Sequence, residues 1–288
     1  MRQCVQSIFA VLAATAVATG IADSAQAQSP TQSPTQSPSP VAAVRTDSAA
    51  PARDPRTAQP ERPTVATHAG TVRRGWIEIE AGIEADRGPG DASNHITTLV
   101  TKIGVARRAQ LSIGINGSTP DGGRTGFGDL AVGLKMRIAE DHPLLGDFAI
   151  QPSLKFPTGS VTGRTGTGTT DASLLLISSR DAGPVHIDLN AGYTARGGDG
   201  SNTPKAQWVW TASFGGVLTG SSGWTAELYG YPGTGGASGA APLVGLLFGP
   251  TFTVRNWLVL DIGAIVPVAG GQPHALYAGA TYNVGRMF

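Results

Sequence analysis

The stretch DLAVGLKMRI, residues 129–138, alternates between two kinds of side chain along its whole length. One face of the extended chain is apolar and consists of Leu130, Val132, Leu134, Met136 and Ile138. The other face is polar or small and consists of Asp129, Ala131, Gly133, Lys135 and Arg137. A period of two is that of a β-strand, and helical spacing does not fit it. The stretch therefore predicts a strand with an apolar environment on one side and a polar environment on the other.

The same alternation recurs along the chain from residue 76 onward. It is strict in WIEIEAGIE (76–84) and returns in FAIQPSLKF (148–156) and VHIDLNAGYTAR (185–196). Two segments, LLLI (174–177) and PLVGLLFGP (242–250), are apolar on both faces, so their register is not predicted. In all, about twelve strands are predicted, starting near residues 76, 94, 109, 126, 146, 168, 183, 206, 223, 241, 256 and 273.

The connectors between these segments alternate in length. ADRGPGDAS (85–93) is followed by RRA (107–109), and TGSVTGRTGTG (158–168) is followed by RDAG (180–183). AEDHPLLG, residues 139–146, is longer than the alternation requires. Barrels that span a bilayer have short turns on the periplasmic side and long loops outside, whereas a soluble sandwich has no reason for this pattern. The alternation therefore predicts a membrane-spanning barrel.

Elementary physical chemistry leads to the same fold class. Hydrocarbon offers no partner to backbone N–H and C=O groups, so only helices and closed barrels span it. A bilayer of about 30 Å requires tilted strands of about 9–11 residues, which is the length of these segments. The 40 glycines and 20 prolines leave little room for long helices. We therefore predict an all-β fold, a transmembrane antiparallel up-and-down β-barrel of about 12 strands over residues 72–288, in contact with outer-membrane lipid.

The chain ends in YAGATYNVGRMF, residues 277–288, and its alternation continues to the last residue. Because a barrel has no free edge, this strand is expected to close against the first one. A terminal aromatic residue after such a strand resembles the C-terminal assembly signal of outer-membrane barrels, which implies the barrel-assembly machinery as a partner through Phe288. Arg286 departs from the otherwise apolar stripe, and a charge near the interface costs less than one at the midplane. The predicted lipid-facing stripe consists of Leu276, Ala278, Ala280, Tyr282, Val284 and Arg286.

The first 27 residues have the features of a secretory signal peptide. Arg2 precedes an apolar core, and the small-residue site Ala25-Gln26-Ala27 predicts cleavage before Gln28. The alternative is a retained membrane anchor, since the apolar stretch approaches the length that spans a bilayer. The single cysteine, Cys4, lies before the cleavage site, so the mature chain is predicted to have no disulfide and no thiolate metal site.

Residues 28–71 are predicted to form a disordered arm in the periplasm. They begin with QSPTQSPTQSPSP and contain almost no large apolar side chains that could bury a core. Two interpretations stay open, a spacer or binding arm and a tail without a partner. The formal net charge of +1 argues against nucleic-acid binding, which requires a basic stripe.

Three stretches carry a resemblance to a known family. They are GFGDLAVGLKMRI (126–138), FAIQPSLKFPTG (148–159) and GTGTTDASLLL (166–176), and LNAGYT follows them. In order and spacing they resemble the outer-membrane transporters grouped as the phenol-degradation meta-pathway family, over roughly residues 76–288. The resemblance implies an outer-membrane barrel that passes small solutes, often aromatic or apolar ones.

The polar faces of the predicted strands supply a candidate lumen lining. In one interpretation these residues line a conduction path and select solutes by charge. In the other, opposite charges pair across the lumen and plug it, because the signs are mixed and no ring of one sign is visible. The candidates are Glu78, Glu80, Glu84, Asp129, Lys135, Arg137, Lys155, Asp171, His186, Asp188, Arg196, Glu227 and Asp261.

The function predicted from this lining is passive passage of small solutes, gated or narrowed by loops such as 157–168 and 197–205. The alternative is a structural or interaction barrel with a plugged lumen that displays surface loops. The two functions differ in whether the lumen is open or filled by paired side chains.

Catalytic, cofactor and metal sites are not predicted. TGSVTGRTGTGTTD, residues 158–171, lacks the Gly-Lys-Ser/Thr ending of a phosphate loop, and no helical pattern follows it. No G-x-S-x-G sequence occurs, and no Ser/His pair can be aligned from spacing. The five histidines are scattered, without an H-E-x-x-H sequence. We therefore predict no enzyme activity, no cofactor and no metal.

Overall fold

The computed structural model describes residues 54–88, 93–201 and 203–288. The predicted signal peptide and residues 28–53 of the predicted arm lie outside the described residues. Within those three ranges, no helix is long and apolar enough to cross a membrane.

Twelve long antiparallel strands and one short strand form a closed barrel. Each long strand pairs with the long strands before and after it, and β1 also pairs with β13, which closes the sheet. The long strands have 10 to 14 residues. The predicted all-β barrel of about 12 strands is confirmed. The strands are β1 (Trp76–Arg87), β2 (Ser93–Ala106), β3 (Ala109–Pro120), β4 (Gly126–Phe127), β5 (Leu130–His142), β6 (Gly146–Phe156), β7 (Asp171–Ala182), β8 (Val185–Arg196), β9 (Ala206–Thr219), β10 (Ser222–Tyr231), β11 (Leu243–Arg255), β12 (Leu258–Gly270) and β13 (His274–Arg286).

The short strand β4 results from a break in the strand predicted near residue 126. It pairs with β3, and the long strand β5 begins only at Leu130. Between β4 and β5, the Asp129 carboxylate accepts hydrogen bonds from the backbone N–H groups of Gly159 and Thr167, both at 3.0 Å. The strand is interrupted here because Asp129 holds the loop after β6 instead of continuing the sheet.

The strand connections alternate in length, as predicted. We call the end of the barrel that carries the turns 107–108, 143–145, 183–184, 220–221 and 256–257 the short-turn end. The opposite end, called the loop end, carries the connections 88–92, 121–129, 157–170, 197–205, 232–242 and 271–273. The apparent exception AEDHPLLG is mostly strand, because β5 continues to His142 and β6 begins at Gly146.

Strand residues alternate between the interior and the exterior of the barrel. In β1, Glu78 and Glu80 are 0% and 3% exposed, whereas Ile83 is 61% exposed. In β13, Tyr277 is 3% exposed and its neighbour Leu276 is 69% exposed. The outer surface of these strands is therefore apolar, as a bilayer requires, and the inner surface carries the polar side chains.

The two segments without a predicted register are apolar on both faces because the interior beside them is also apolar. In β7, Leu175 and Ile177 lie inside the barrel, in one buried cluster with Ala69. In β11, Leu247 lies inside the barrel, in a cluster against which Val65 packs. Both Ala69 and Val65 belong to the part of the chain that precedes β1, so the barrel interior is occupied by the chain's own N-terminal portion.

Residues 55–75, which we call the lumen segment, run through the interior of the barrel. The segment starts at the short-turn end, where the Asn283 side chain donates to the backbone carbonyl of Pro55 at 3.2 Å. It reaches the middle of β10 at Glu227. It then returns to the short-turn end, where β1 begins at Trp76. The segment thus folds back on itself inside the short-turn half of the barrel.

This path differs from the disordered arm predicted for residues 28–71. Residues 55–71 of that arm are held by hydrogen bonds to the barrel wall. Their low apolar content means that they cannot form a core of their own. The lumen wall nevertheless offers polar partners to their backbone groups, which lets them order inside the barrel.

Candidate functional site in the barrel lumen

The lumen segment is neither helix nor strand for most of its length, so its backbone groups need partners on the barrel wall. Glu227 is fully buried and supplies two of them. One carboxylate oxygen accepts from the Val65 N–H at 2.7 Å, and the other accepts from the Ala66 N–H at 2.6 Å. The Glu227 side chain therefore replaces the partner that a neighbouring strand would provide.

Two glutamates of β1 hold the first part of the segment. The backbone N–H of Gln59 donates to Glu78 at 2.8 Å, and that of Glu61 donates to Glu80 at 2.7 Å. The same two carboxylates pair with Lys102 of β2, at 2.6 and 2.8 Å. Each glutamate thus serves a wall lysine and the segment at the same time.

Neutral side chains hold the returning part of the segment. Asn190 bonds reciprocally with Thr67, because its Oδ1 accepts from the Thr67 N–H at 2.8 Å and its Nδ2 donates to the Thr67 carbonyl at 2.9 Å. The Ser179 hydroxyl oxygen accepts from the Ala69 N–H at 2.7 Å. Buried backbone groups that lack such partners are costly, so these contacts specify where the segment lies.

Arg62 lies on a pair of glycines in the wall. Gly82 of β1 and Gly279 of β13 are partners across the two strands. A Cβ at Gly82 would lie 2.1 Å from Arg62 Cζ, and a Cβ at Gly279 would lie 2.4 Å from Arg62 Nε. The guanidinium also lies 3.5 Å from the Asp261 carboxylate. The absence of side chains on the glycine pair therefore makes room for Arg62.

Glu61 connects the segment to two wall lysines. Its carboxylate bonds to Lys135 of β5 and lies 3.8 Å from Lys102 Nζ. Lys135 also donates to the Thr67 hydroxyl at 3.1 Å and to the His68 carbonyl at 2.9 Å. Both lysines are fully buried, and a buried charge is tolerated only with partners of this kind.

A second polar cluster lies at the loop end. Lys155 donates to Asp129 at 2.8 Å and lies 3.2 Å from Asp171, which in turn is 3.8 Å from Arg196. Burial raises the pKa of Asp129, but hydrogen bonds from Lys155, from Thr167 and from loop N–H groups lower it, and the net pKa is below its ordinary value. The ionised Asp129 ties the connection 157–170 to the barrel rim.

Of the remaining predicted lumen residues, Glu84 lies in the loop-end half of β1, and His186, Asp188 and Arg137 lie toward the short-turn end. The His186 ring nitrogens are 2.6 Å from Asp181 and 3.2 Å from Asp188, and the side chain is 45% exposed. Arg137 pairs with Glu140 at 2.9 Å. Of the predicted lining, Glu78, Glu80, Lys135, Glu227 and Asp261 contact the lumen segment.

Sequence reasoning missed several wall residues that hold the segment, among them Lys102, Gln110, Ser179 and Asn190. Gln110 Oε1 accepts from the Val72 N–H at 2.8 Å. In β2 the buried face includes the apolar Ile96 and the outer face includes Thr97, so alternation there gives no clear polar side. A register deduced from the antiparallel neighbour β1 is the one signal that places Lys102 beside Glu78.

An apolar patch interrupts the polar lumen on the inner faces of β10 to β13. Val65 of the lumen segment packs against this patch. Buried aromatic and aliphatic side chains of this kind provide an apolar surface for whatever occupies the lumen. The apolar patch consists of Tyr229, Leu247, Ile265, Ala275 and Tyr277.

A family model decides the relationship of this chain to known proteins. The model described as "Putative MetA-pathway of phenol degradation" matches residues 61–268. The chain belongs to this family. The predicted resemblance is confirmed, and the match begins inside the lumen segment, upstream of the barrel region on which the resemblance was based. No curated protein matches the chain in sequence.

A solved structure shares the barrel fold, and others are similar to this chain at lower TM-scores. The COG4313 outer membrane channel from Pseudomonas putida F1 has 11% sequence identity and a TM-score of 0.59, covering 75% of this chain and 97% of that chain. The KdgM porin has 10% identity and a TM-score of 0.47, covering 71% of this chain and 98% of that chain. The translocator domain of the autotransporter NalP from Neisseria meningitidis has 12% identity and a TM-score of 0.45, covering 75% and 89%. At these identities the first structure shows a common fold, and the other two carry no further argument.

Proposed function

We propose that this protein is an outer-membrane channel that gives small solutes passive passage, and that the lumen segment closes it when docked against the barrel wall. The observation that carries the proposal is that wall side chains such as Glu227 and Asn190 bind the segment instead of pairing with each other. A wall of this kind has a polar lining that is free when the segment leaves. Family membership and the fold shared with an outer-membrane channel support the proposal.

The solutes in this proposal are small and include apolar or aromatic ones. The apolar patch supports this class, because its aromatic and aliphatic side chains offer a surface on which such a solute can move. Nothing in the described part of the barrel supplies energy, so flux follows the concentration gradient.

The proposal places the short-turn end in the periplasm and the loop end outside the cell. Residues 1–27 direct export, residues 28–53 lie in the periplasm, and the strand that ends near Phe288 is recognised by the barrel-assembly machinery. Trypsin added to intact cells tests the orientation. We expect cleavage at Arg164, in connection 157–170, and protection of Arg255 until the outer membrane is opened. Cleavage at Arg255 with Arg164 intact would mean that the orientation is reversed.

Closure by the segment is tested with a disulfide tether. The mature chain has no native cysteine, so Ala69→Cys with Ser179→Cys introduces a single pair where the Ala69 N–H donates to the Ser179 hydroxyl at 2.7 Å. Conductance of the refolded full-length mature protein is measured in a planar bilayer before and after reduction. The matched control is Ala69→Cys with Leu174→Cys, because Leu174 lies on the outer face.

We expect the tethered pair to be silent when oxidised and to show discrete conductance steps when reduced, while the control shows steps in both states. Equal conductance of the tethered pair in both states would show that the segment does not control the passage of solutes. If no variant conducts although each is shown to be folded, the channel proposal is wrong, and the structural or interaction barrel is favoured.

A further inference from the structure

The Glu61 carboxylate lies where three side-chain donors of the wall converge. Its Oε1 bonds to Lys135 Nζ, accepts from Gln110 Nε2 at 3.2 Å and lies 3.8 Å from Lys102 Nζ. The three donors come from the neighbouring strands β5, β3 and β2. Two ammonium groups and an amide around one oxygen are the donor set that binds a carboxylate in proteins.

The two lysines differ in what remains when Glu61 is removed. Lys102 keeps two wall partners, Glu78 at 2.6 Å and Glu80 at 2.8 Å. Lys135 has no wall carboxylate within ion-pair distance among the described residues, and its only salt bridge there is to Glu61. Its other two hydrogen-bond partners, Thr67 and His68, also come from the lumen segment.

Removal of the Glu61 side chain from the docked segment therefore leaves a fully buried ammonium group without a carboxylate partner. An uncompensated buried charge is strongly unfavourable, so this position binds an anion, gives up its proton or lowers the stability of the fold. The neighbouring Glu78 and Glu80 disfavour a second negative charge, which selects a monoanion over a phosphate dianion.

We propose that Lys135, Gln110 and Lys102 form a carboxylate-binding site in the lumen wall. The site is filled by the Glu61 side chain when the segment is docked, and it takes a small organic monocarboxylate when that side chain is absent. The site is part of the wall of the proposed channel, so a role in solute passage rests on the proposed function. Occupancy of the site does not, because it can be measured in a barrel that conducts nothing.

The test is chemical rescue of Glu61→Ala in the full-length mature protein. The variant is refolded in sodium acetate or in sodium chloride at equal ionic strength, and the Tm is measured in each salt. We expect a lower Tm than that of the unsubstituted protein in chloride, and a saturable gain in acetate that the unsubstituted protein does not show. Adding Lys135→Met to Glu61→Ala is expected to abolish the acetate-specific gain.

Two control variants make the result specific. Glu61→Gln keeps the side-chain shape and fills the site with a neutral amide, so acetate is expected to give no gain. Glu140→Ala removes an exposed carboxylate that pairs with Arg108 at 2.7 Å, and acetate is expected to have no specific effect there. An acetate gain of equal size in all variants, or none in Glu61→Ala, would overturn the site. The site would also be overturned if Glu61→Ala folds in neither salt while Glu61→Gln folds in both.

Conductance separates this inference from the channel itself. Acetate rescue of the Tm without any acetate-carried current would support the carboxylate site and contradict its role in solute passage. Current through the reduced tether variant, without acetate rescue of Glu61→Ala, would support the channel and contradict the carboxylate site.

Discussion

The buried carboxylate of Glu227 accepts a 2.6 Å hydrogen bond from the backbone N–H of Ala66. These two residues are 161 positions apart in the chain, so the contact joins the N-terminal segment to β10, a strand of the C-terminal part of the chain. A strand in a sheet satisfies its N–H groups through the neighbouring strand, and the lumen segment satisfies them through side chains. The segment and the barrel wall therefore form one hydrogen-bonded unit.

Replacement of this carboxylate should loosen the segment. Glu227→Gln keeps the side-chain shape but places an NH₂ donor against one of the two backbone N–H groups, which leaves a buried donor unsatisfied. We expect a loss of about 1–3 kcal/mol in the free energy of unfolding. We also expect faster amide exchange at Val65 and Ala66, measured by mass spectrometry. The exposed substitution Glu140→Gln is the control, and unchanged exchange at Val65 in Glu227→Gln would contradict the docking.

The glycine beneath Arg62 should be sensitive to a side chain. In Gly82→Val the new Cβ overlaps the guanidinium, so Arg62 has to leave Gly82 and its contact with Asp261. Because a flexible side chain can move, we expect the barrel to fold but the open probability in a planar bilayer to rise. Ala81→Val, one residue earlier on the outer face, should behave as the unsubstituted protein. A higher open probability for Ala81→Val than for Gly82→Val would mean that the β1 register is wrong.

The outer face of β5 should reject charge. Leu134→Arg places a guanidinium in contact with lipid, at a cost of about 2–4 kcal/mol near the midplane and less toward the interface. We expect this variant to fold poorly into phosphatidylcholine vesicles, as followed by the heat-dependent shift in electrophoretic mobility. Lys135→Met changes the adjacent inward residue and is expected to fold while holding the segment less tightly. Normal folding of Leu134→Arg with failure of Lys135→Met would contradict the assignment of the two faces.

The connection 157–170 should loosen in acid. The folded-state pKa of Asp129 is below its ordinary value, so its stabilising contribution is complete above the unfolded pKa and is lost as the pH falls through the folded pKa. The ordinary value is about 3.9, so we expect the protection factor of the Thr167 amide to stay constant at neutral pH and to fall below about pH 4.

Asp129→Asn should give the loosened state at neutral pH. Its expected readout is faster trypsin cleavage at Arg164, with cleavage at Arg255 as the internal reference. Equal cleavage rates at Arg164 in the variant and the unsubstituted protein would show that Asp129 does not hold this connection.

The barrel could be predicted from the sequence because each strand must satisfy two environments at once. The alternation of Leu134 with Lys135 records lipid on one side and lumen on the other. The path of the lumen segment produces no such pattern in the sequence. Its N–H groups bond to side chains such as Glu227 and Asn190, which are 162 and 123 residues away from their partners, and those contacts impose no period on the sequence. The small and polar residues that suit a narrow lumen are the same ones that indicate disorder.

Two features of the sequence carried information that alternation alone does not use. Gly82 stands on the inner face of a strand where glutamates precede and follow it, and a glycine in a strand interior often marks close approach by another backbone or ligand. Leu247 and Ile177 are apolar on the inner face, which a water-filled lumen does not require. Both features follow from an occupied interior.

The position of residues 55–75 inside the barrel is tested most directly by the yield of the disulfide between Ala69→Cys and Ser179→Cys. The protein is refolded, oxidised and digested, and the linked peptides are quantified by mass spectrometry beside the Ala69→Cys with Leu174→Cys control. We expect a near-complete intramolecular link for the first pair and none for the second. A first pair that stays reduced in folded protein, or one that links no better than the control, would contradict a lumen segment docked in the barrel.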